Sequence, residues 1–474
     1  MEKYSGYAPQ SQFRLWWVDK RATALGLVPC GIWDIITTQN LYRGNSSVSI
    51  SERLFSNRTM QQGIILTSAN SVGYLLQYIF HFYVSRLIGP SDYSLVTAML
   101  ALSVIVTVPG NIAQTVITQY TSTFYAHSKL DRVAALLHDT LLQLSVAGGV
   151  VFLITVVMSG RIAAYLNVPA IEPVIAMAVS FPVTGAVMAT MGVLQGLQRF
   201  DALAAGGVLG PLLRLIAAII LVHLGLGAVG AIGASTVMIG TLLAICLFCL
   251  RDILRTQHNG HGLEIKTISR FTGIVFLGTL AFSILTNVDL IIVRHYFSPE
   301  ESGYYSAASV LGKTILFLPT AVTTLMFPKT AQRFALGQST VGIARKAMLV
   351  SLLLCGAIAI TLAILAEPAV EILFGSQFAS SIPLVGGYGA AMGLYALVQL
   401  LLILYISQEE ARFVWLVAGA AILVLVMLML FHTTLAQVIL ILAMGALFIL
   451  IVSEAWLGGL GLAMAIRHRT NESA

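Results

Sequence analysis

Apolar runs long enough to cross a hydrocarbon core as helices, about 20 residues each, alternate with short polar breaks from residue 64 almost to the end of the chain. They predict twelve transmembrane helices, at approximately 64–87, 93–117, 136–158, 173–195, 203–223, 228–250, 271–293, 303–327, 347–366, 382–406, 412–432 and 435–466. Residues 1–63 have little periodicity, and their run ALGLVPCGIWDII is too short and too broken by Pro29 and Gly31 to be a span. They read as a cytoplasmic extension. Trp16 and Trp17 beside Lys20 and Arg21 fit an interfacial helix on the inner leaflet. The alternatives are a disordered tail and an upstream extension of a chain whose functional start is Met60.

The runs repeat. A shift of about 210 residues brings Gly63 onto Gly273, Pro109 onto Pro319, Phe124 onto Phe334 and Pro173 onto Pro383, with Pro90 one position from Pro299. The first turn of each copy holds proline, then an acid, then tyrosine: GPSDYS at 89–94 and SPEESGYYS at 298–306. The expected fold is therefore an all-α polytopic membrane protein, with two pseudo-symmetric six-helix lobes around a central cavity. Its expected parts are an extension at 1–63, a first lobe at 64–250, a cytoplasmic linker at 251–270, a second lobe at 271–466 and a tail at 467–474.

Lys and Arg orient it. One set of loops holds only Arg86, Arg161 and Arg294, whereas the other set and the two tails hold twenty-one of the 26, with Arg214 and Lys313 inside spans. By the positive-inside rule both termini are cytoplasmic and the protein sits in the cytoplasmic membrane. A composition 58% hydrophobic and 10% charged leaves no soluble catalytic domain. The net charge of +6 is spread over many loops without aromatic clustering, which argues against nucleic acid as a partner. Cys30, Cys246, Cys249 and Cys355 form no disulfide framework, and the C-x-x-C pair in an apolar helix has no second ligand pair. No cofactor or metal is expected.

The candidate chemistry lies at membrane depth, where each unpartnered charge costs about 2.5–3.5 kcal/mol or more. Arg214, in the middle of its span, offers a planar fork suited to phosphate oxygens; the structural alternative is an ion pair or hydrogen bonds to helix carbonyls. Lys313 lies about 15 Å into its span at 1.5 Å per residue. It either bridges to Asp289 or serves substrate phosphate while Asp289 titrates or binds a cation. Asn287, Asn70 and Asn111 complete the candidate substrate-binding set, with Gln114 adding polarity. His138 and Asp139 read as interface residues, and His81 as a packing residue.

The stretches SRLIGPSDYSLVTAML at 85–100, LQGLQRF at 194–200 and LTNVDLIIVRHYFSPEESGYYSAASVLGKTILFLPTAVTTLMFPKTAQ at 285–332 carry a family resemblance. Over about residues 60–466 the chain resembles the polysaccharide transporter family of the multidrug/oligosaccharidyl-lipid/polysaccharide flippase superfamily, the O-antigen-type (Wzx-like) flippases. That resemblance implies movement of a polyprenyl-pyrophosphate-linked oligosaccharide across the cytoplasmic membrane for polysaccharide biosynthesis. It also implies membrane lipids and polysaccharide assembly proteins as partners.

Other readings make different demands. An ion-coupled multidrug exporter of the same superfamily needs a carboxylate-centred site in the first lobe, and lipid II flippases commonly carry two extra helices. A membrane polymerase or ligase needs a sizeable exported loop, and the longest here, near 367–381, lacks Arg and His. Without a GxxxxGK[ST] loop, energy is expected from a proton or sodium gradient, the membrane potential or consumption of cargo.

Overall fold

The computed structural model describes residues 58–168, 170–256, 270–317, 341–407 and 410–457. Residues 1–57, most of the expected linker, the end of the eighth span and the C-terminal tail lie outside the described residues. Among the described residues, nine helical stretches are apolar and long enough to cross a membrane. Two of these, of 62 and 50 residues, each hold two passes.

The first is α1, Arg58–Ala126, broken into two arms at Gly89 (φ 76°, ψ 174°). That backbone region costs a side-chain-bearing residue heavily, and Pro90 then starts the second arm with its ring-fixed φ. The chain continues through α2 (Leu130–Val157), short α3 (Ser159–Tyr165), α4 (Glu172–Ala178) with α5 (Ser180–Gly196), and α6 (Phe200–Leu221). A π-turn at Val222–Leu226 reverses it into α7 (Gly227–Cys249), and one further turn, α8 (Arg251–Leu254), ends this half.

The second half begins with α9 (Arg270–Tyr296) and α10 (Pro299–Lys313), which a 3-10 turn extends to Phe317. The SPEE sequence explains the start of α10. Ser298 Oγ accepts the Glu301 amide at 3.3 Å, and the Glu301 carboxylate accepts the Ser298 amide at 3.1 Å, so two otherwise orphaned donors are satisfied. Then follow α11 (Val341–Ile364), α12 (Ala366–Leu373), α13 (Ile382–Ser407), α14 (Ala411–Leu430) and α15 (Leu435–Leu457).

The nine stretches give eleven passes, α10 with its 3-10 extension begins a twelfth, and together they form two lobes. Two cores lie wholly or mainly within the first half, around Phe80, Val84, Met99 and Phe181 and around Leu136, Leu137 and Leu194. A third fills the second half and takes in Tyr93 from the first. The lobes meet where α1 packs on α9 and α10. Outward faces carry exposed Leu142, Leu153, Leu353, Ile364 and Ile451, as lipid contact demands. Hydroxyls inside the helices bond back to the preceding turn, as Thr190 does to Ala186 O at 2.9 Å, and so avoid an unpaired polar group in hydrocarbon.

Candidate transport cavity

At the end of the bundle that carries Gly89, the lobes are locked together. A Cβ on Gly303 would fall 2.2 Å from Pro90 O, so only glycine lets α10 approach the second arm of α1 this closely. Deeper along the same contact, the hydroxyls of Thr97 and Ser306 bond at 2.7 Å. Arg294, 5% exposed, spans the lobes with Nε to Leu166 O at 3.1 Å and Nη1 to Ser94 Oγ at 2.8 Å. Asn167 Nδ2 returns a bond to His295 O at 2.7 Å, and the His295 ring stacks on Tyr165 at 3.9 Å. Arg86 donates to the carbonyls of Glu371 and Ile372, and Tyr93 packs edge-on to Phe374 and Phe378.

A cavity of about 540 Å³ reaches the opposite end, beside Gln198. The two arms of α1 with α5, α6 and α7 enclose it within the first lobe, and its deepest α6 residue is Pro211. With α6 beginning at Phe200, that depth is about 16 Å, roughly half a bilayer. Asn70 and Asn111 line it, as does Gln114, together with Gln77, Gln195 and Gln198. The described residues that line it include no Asp, Glu, Lys or Arg. Pro211 has no amide hydrogen, so it leaves the carbonyl of Gly207, also in the lining, without its helical donor.

Arg214 lies one turn beyond Pro211 and is 4% exposed. Its guanidinium carbon sits 3.7 Å from the centroid of the Phe80 ring, a desolvated cation–π contact of about 2 kcal/mol. Nε and Nη2 are buried without a hydrogen-bond partner. Neither an ion pair nor a carbonyl bond at those two nitrogens holds it, contrary to the structural alternative. His81, beside Phe80, shares a 3.0 Å hydrogen bond with the Tyr93 hydroxyl.

The expected bridge between Asp289 and Lys313 is not made. Lys313 Nζ donates to Asn287 Oδ1 at 3.3 Å, while the fully buried Asp289 accepts from the hydroxyls of Tyr305 at 2.9 Å and Tyr388 at 2.7 Å. Helix geometry gives the reason: two residues along α9 turn the side chain by about 200°, so Asn287 and Asp289 cannot face the same partner. Asp289 Oδ1 is buried without a partner. The candidate residues therefore fall into three places: Asn70 and Asn111 in the cavity, Arg214 behind its blind end, and Lys313, Asn287 and Asp289 in the second lobe.

Sequence reasoning missed Gln77, Gln195 and Gln198, although spacing marks the first. Residues 70 and 77 stand seven apart on one helix, and 111, 114 and 118 are three and seven apart on another, each set on one face. It also counted Arg294 as a loop residue, whereas the side chain is buried between lobes.

At the Gln198 end, Arg199 clamps Asp252 from two nitrogens, Nη1 to Oδ1 at 2.9 Å and Nη2 to Oδ2. The hydrogen bond from Arg199 holds the Asp252 carboxyl below the usual carboxylate range and raises the Arg199 pKa in turn.

No curated protein matches the chain significantly. Among solved structures, the chain is similar to an inward-facing multidrug resistance MATE family transporter of the MOP superfamily. The TM-score is 0.61 at 15% identity, over 87% of this chain and 99% of that one. It is also similar to a MOP superfamily transporter from Pyrococcus furiosus, described as having a binding pocket of reverse polarity (TM-score 0.56, 15% identity, 87% and 98% covered). An outward-facing MATE family transporter gives a TM-score of 0.54 at 14% identity, over 89% and 100%. At such identities these likenesses show the fold alone. A family described as polysaccharide biosynthesis protein matches residues 83–383, more than half of the chain, and the chain belongs to that family.

Proposed function

We propose that this protein is a flippase that moves an anionic, polyprenyl-pyrophosphate-linked oligosaccharide across the cytoplasmic membrane by alternating access. One observation carries the reading: a polar cavity reaches half-way into the bundle from the Gln198 end, while contacts between the lobes seal the Gly89 end. The distribution of Lys and Arg makes the Gln198 end cytoplasmic, so this is an inward-facing state. Rocking one lobe against the other would part the Pro90–Gly303 contact and open the far side, with the lipid tail left in the bilayer.

Arg214, behind the blind end, and Lys313, in the second lobe, supply positive charge for the pyrophosphate, and the groups they rest on, Phe80 and Asn287, are uncharged. A proton or sodium ion as coupling ion would act at Asp289, through the oxygen that has no partner. A multidrug exporter for cationic compounds fits less well, because the cavity lining carries no carboxylate.

The test is reconstitution in liposomes with the glycan of the lipid-linked oligosaccharide initially on one face. A membrane-impermeant glycosidase should gain access to it with time in wild-type vesicles and not in protein-free ones. Equal access in both would refute the proposal.

A further inference from the structure

We infer that the first-lobe cavity is the site that reads the sugar, and that it takes a neutral glycan, bearing hydroxyl and acetamido groups but no carboxylate or phosphate. The inference rests on the flippase reading and adds to it a division of labour: sugar in the amide-lined cavity, pyrophosphate at the cations beyond its blind end.

The lining chemistry points this way. Six carboxamides, Asn70, Gln77, Asn111, Gln114, Gln195 and Gln198, converge on one space in a chain that is 58% hydrophobic. Each offers one acceptor oxygen and two donor hydrogens, which matches hydroxyls that must both give and accept a hydrogen bond. Thr118 donates to Gln195 Oε1 at 3.2 Å, which occupies one acceptor site and leaves the amide nitrogen of Gln195 as a donor. The side chains of Asn70, Gln77, Asn111 and Gln114 make no hydrogen bond with another described residue.

That last fact separates them from the hydroxyl side chains nearby, which bond to their own helices: Thr115 to Asn111 O at 3.1 Å and Thr118 to Gln114 O at 2.9 Å. None of the four is buried: Asn70 and Asn111 are exposed and Gln77 and Gln114 half-buried, so their donors and acceptors face the open cavity. A polar occupant can take the place of water on them without breaking a bond inside the protein.

Charge and shape narrow the occupant. With no Lys or Arg among the described lining residues, an acidic sugar would gain no compensation from them for its desolvation. A volume of about 540 Å³ lies within the range of roughly 300–1,000 Å³ typical of small-molecule sites and suits one or two sugar rings rather than a long polymer. Tyr74, 47% exposed and in contact with Phe317 of the second lobe at 4.9 Å between rings, offers an aromatic face in the lining for the apolar side of a pyranose.

The experiment measures affinities of three lipids for the full chain in lipid nanodiscs, by native mass spectrometry. They are bare polyprenyl pyrophosphate, the same lipid bearing a neutral N-acetylhexosamine disaccharide, and the same lipid bearing a hexuronic acid disaccharide. The neutral glycolipid should bind at least tenfold tighter than the bare lipid, and the acidic one no tighter than the bare lipid. In Asn111→Leu and in Gln77→Leu, tested separately, the tenfold preference should fall to threefold or less. If wild type binds bare and neutral glycolipids equally, the sugar site is wrong while the flippase reading stands. If the acidic glycolipid binds best, the assignment to neutral sugars is wrong. If none of the three lipids binds, the flippase reading itself fails and this inference with it.

Discussion

The two lobes share a backbone plan and use it in opposite ways. In the first lobe the space between helices is hollow and lined with neutral amides, and the buried charge behind it, Arg214, rests on the face of Phe80. In the second lobe the comparable depth is filled by Tyr305, Tyr388 and Tyr395, packed around the carboxylate of Asp289. Under the shift of 209 that aligns Pro90 with Pro299, Phe80 aligns with Asp289. One repeat position thus holds the aromatic seat of a cation in one lobe and a buried anion in the other. The asymmetry lies in side chains rather than helices, and it gives the first lobe an open site and the second a buried carboxylate held by tyrosine hydroxyls.

The sharpest way to break this comparison is at Arg214. Arg214→Ala should abolish glycolipid translocation in the liposome assay while membrane expression persists, and Arg214→Lys should recover only part, because the planar fork is lost. Full activity of both variants would reduce the first-lobe cation to packing.

Next in size is the seal common to both lobes. Cysteines at Ser91 and Ser302, neighbours of the touching Pro90 and Gly303, should crosslink in the inward-facing state and stop translocation, with recovery on reduction. A crosslink that leaves translocation untouched would remove the Gly89 end from the cycle.

Stability should then separate the lobes. Tyr305→Phe combined with Tyr388→Phe leaves Asp289 without its donors and should cost about 3 kcal/mol or more, given roughly 1.5–3 kcal/mol for each hydrogen bond to a charged group. Phe80→Leu keeps an apolar side chain but removes the ring beneath Arg214, and should cost about 2 kcal/mol or less. Thermal unfolding in detergent ranks the two, and the reverse order would mean that the two tyrosine hydroxyls hold Asp289 less firmly than the Phe80 ring holds Arg214.

The smallest effect belongs to the pair at the Gln198 end. Because the folded-state pKa of Asp252 is depressed, its contribution is present above the ordinary carboxylate value of about 4 and is lost as pH falls through the lower, folded value. With side chains 33% and 54% exposed, solvent screening keeps the contribution of this pair under about 1 kcal/mol. Asp252→Asn should accordingly flatten the acid limb of the stability curve and change little at neutral pH, as a pH series of melting temperatures would show.

The spans were legible because a bilayer sets one length for every helix, and the repeat was legible because Pro and Gly mark its turns. Contacts across helices were less so. Asn287, Asp289 and Lys313 could be picked out as polar residues at membrane depth, but their pairing depends on the rotation of α9 against α10. The tyrosines that hold Asp289 look in the sequence like any apolar filler. Arg294 stands near a turn, and only the close fit of Leu166 and Asn167 against the end of α9 shows that it is buried between lobes. Asn70 and Asn111 were recognised one at a time, while the amide cavity exists only once five separate helical segments converge.

The bond between Thr97 and Ser306 joins residues 209 apart, the same offset that relates Pro90 to Pro299. Each therefore touches its own counterpart in the other copy, which happens only on the axis that exchanges the two halves. An isologous dimer of two six-helix chains has this property at its centre, since one surface patch meets itself. The seal at the Gly89 end is in that sense a dimer interface inside a single polypeptide. Its two hydroxyls can trade donor and acceptor roles, so exchanging them, with Thr97→Ser and Ser306→Thr together, would preserve a contact that neither lobe owns.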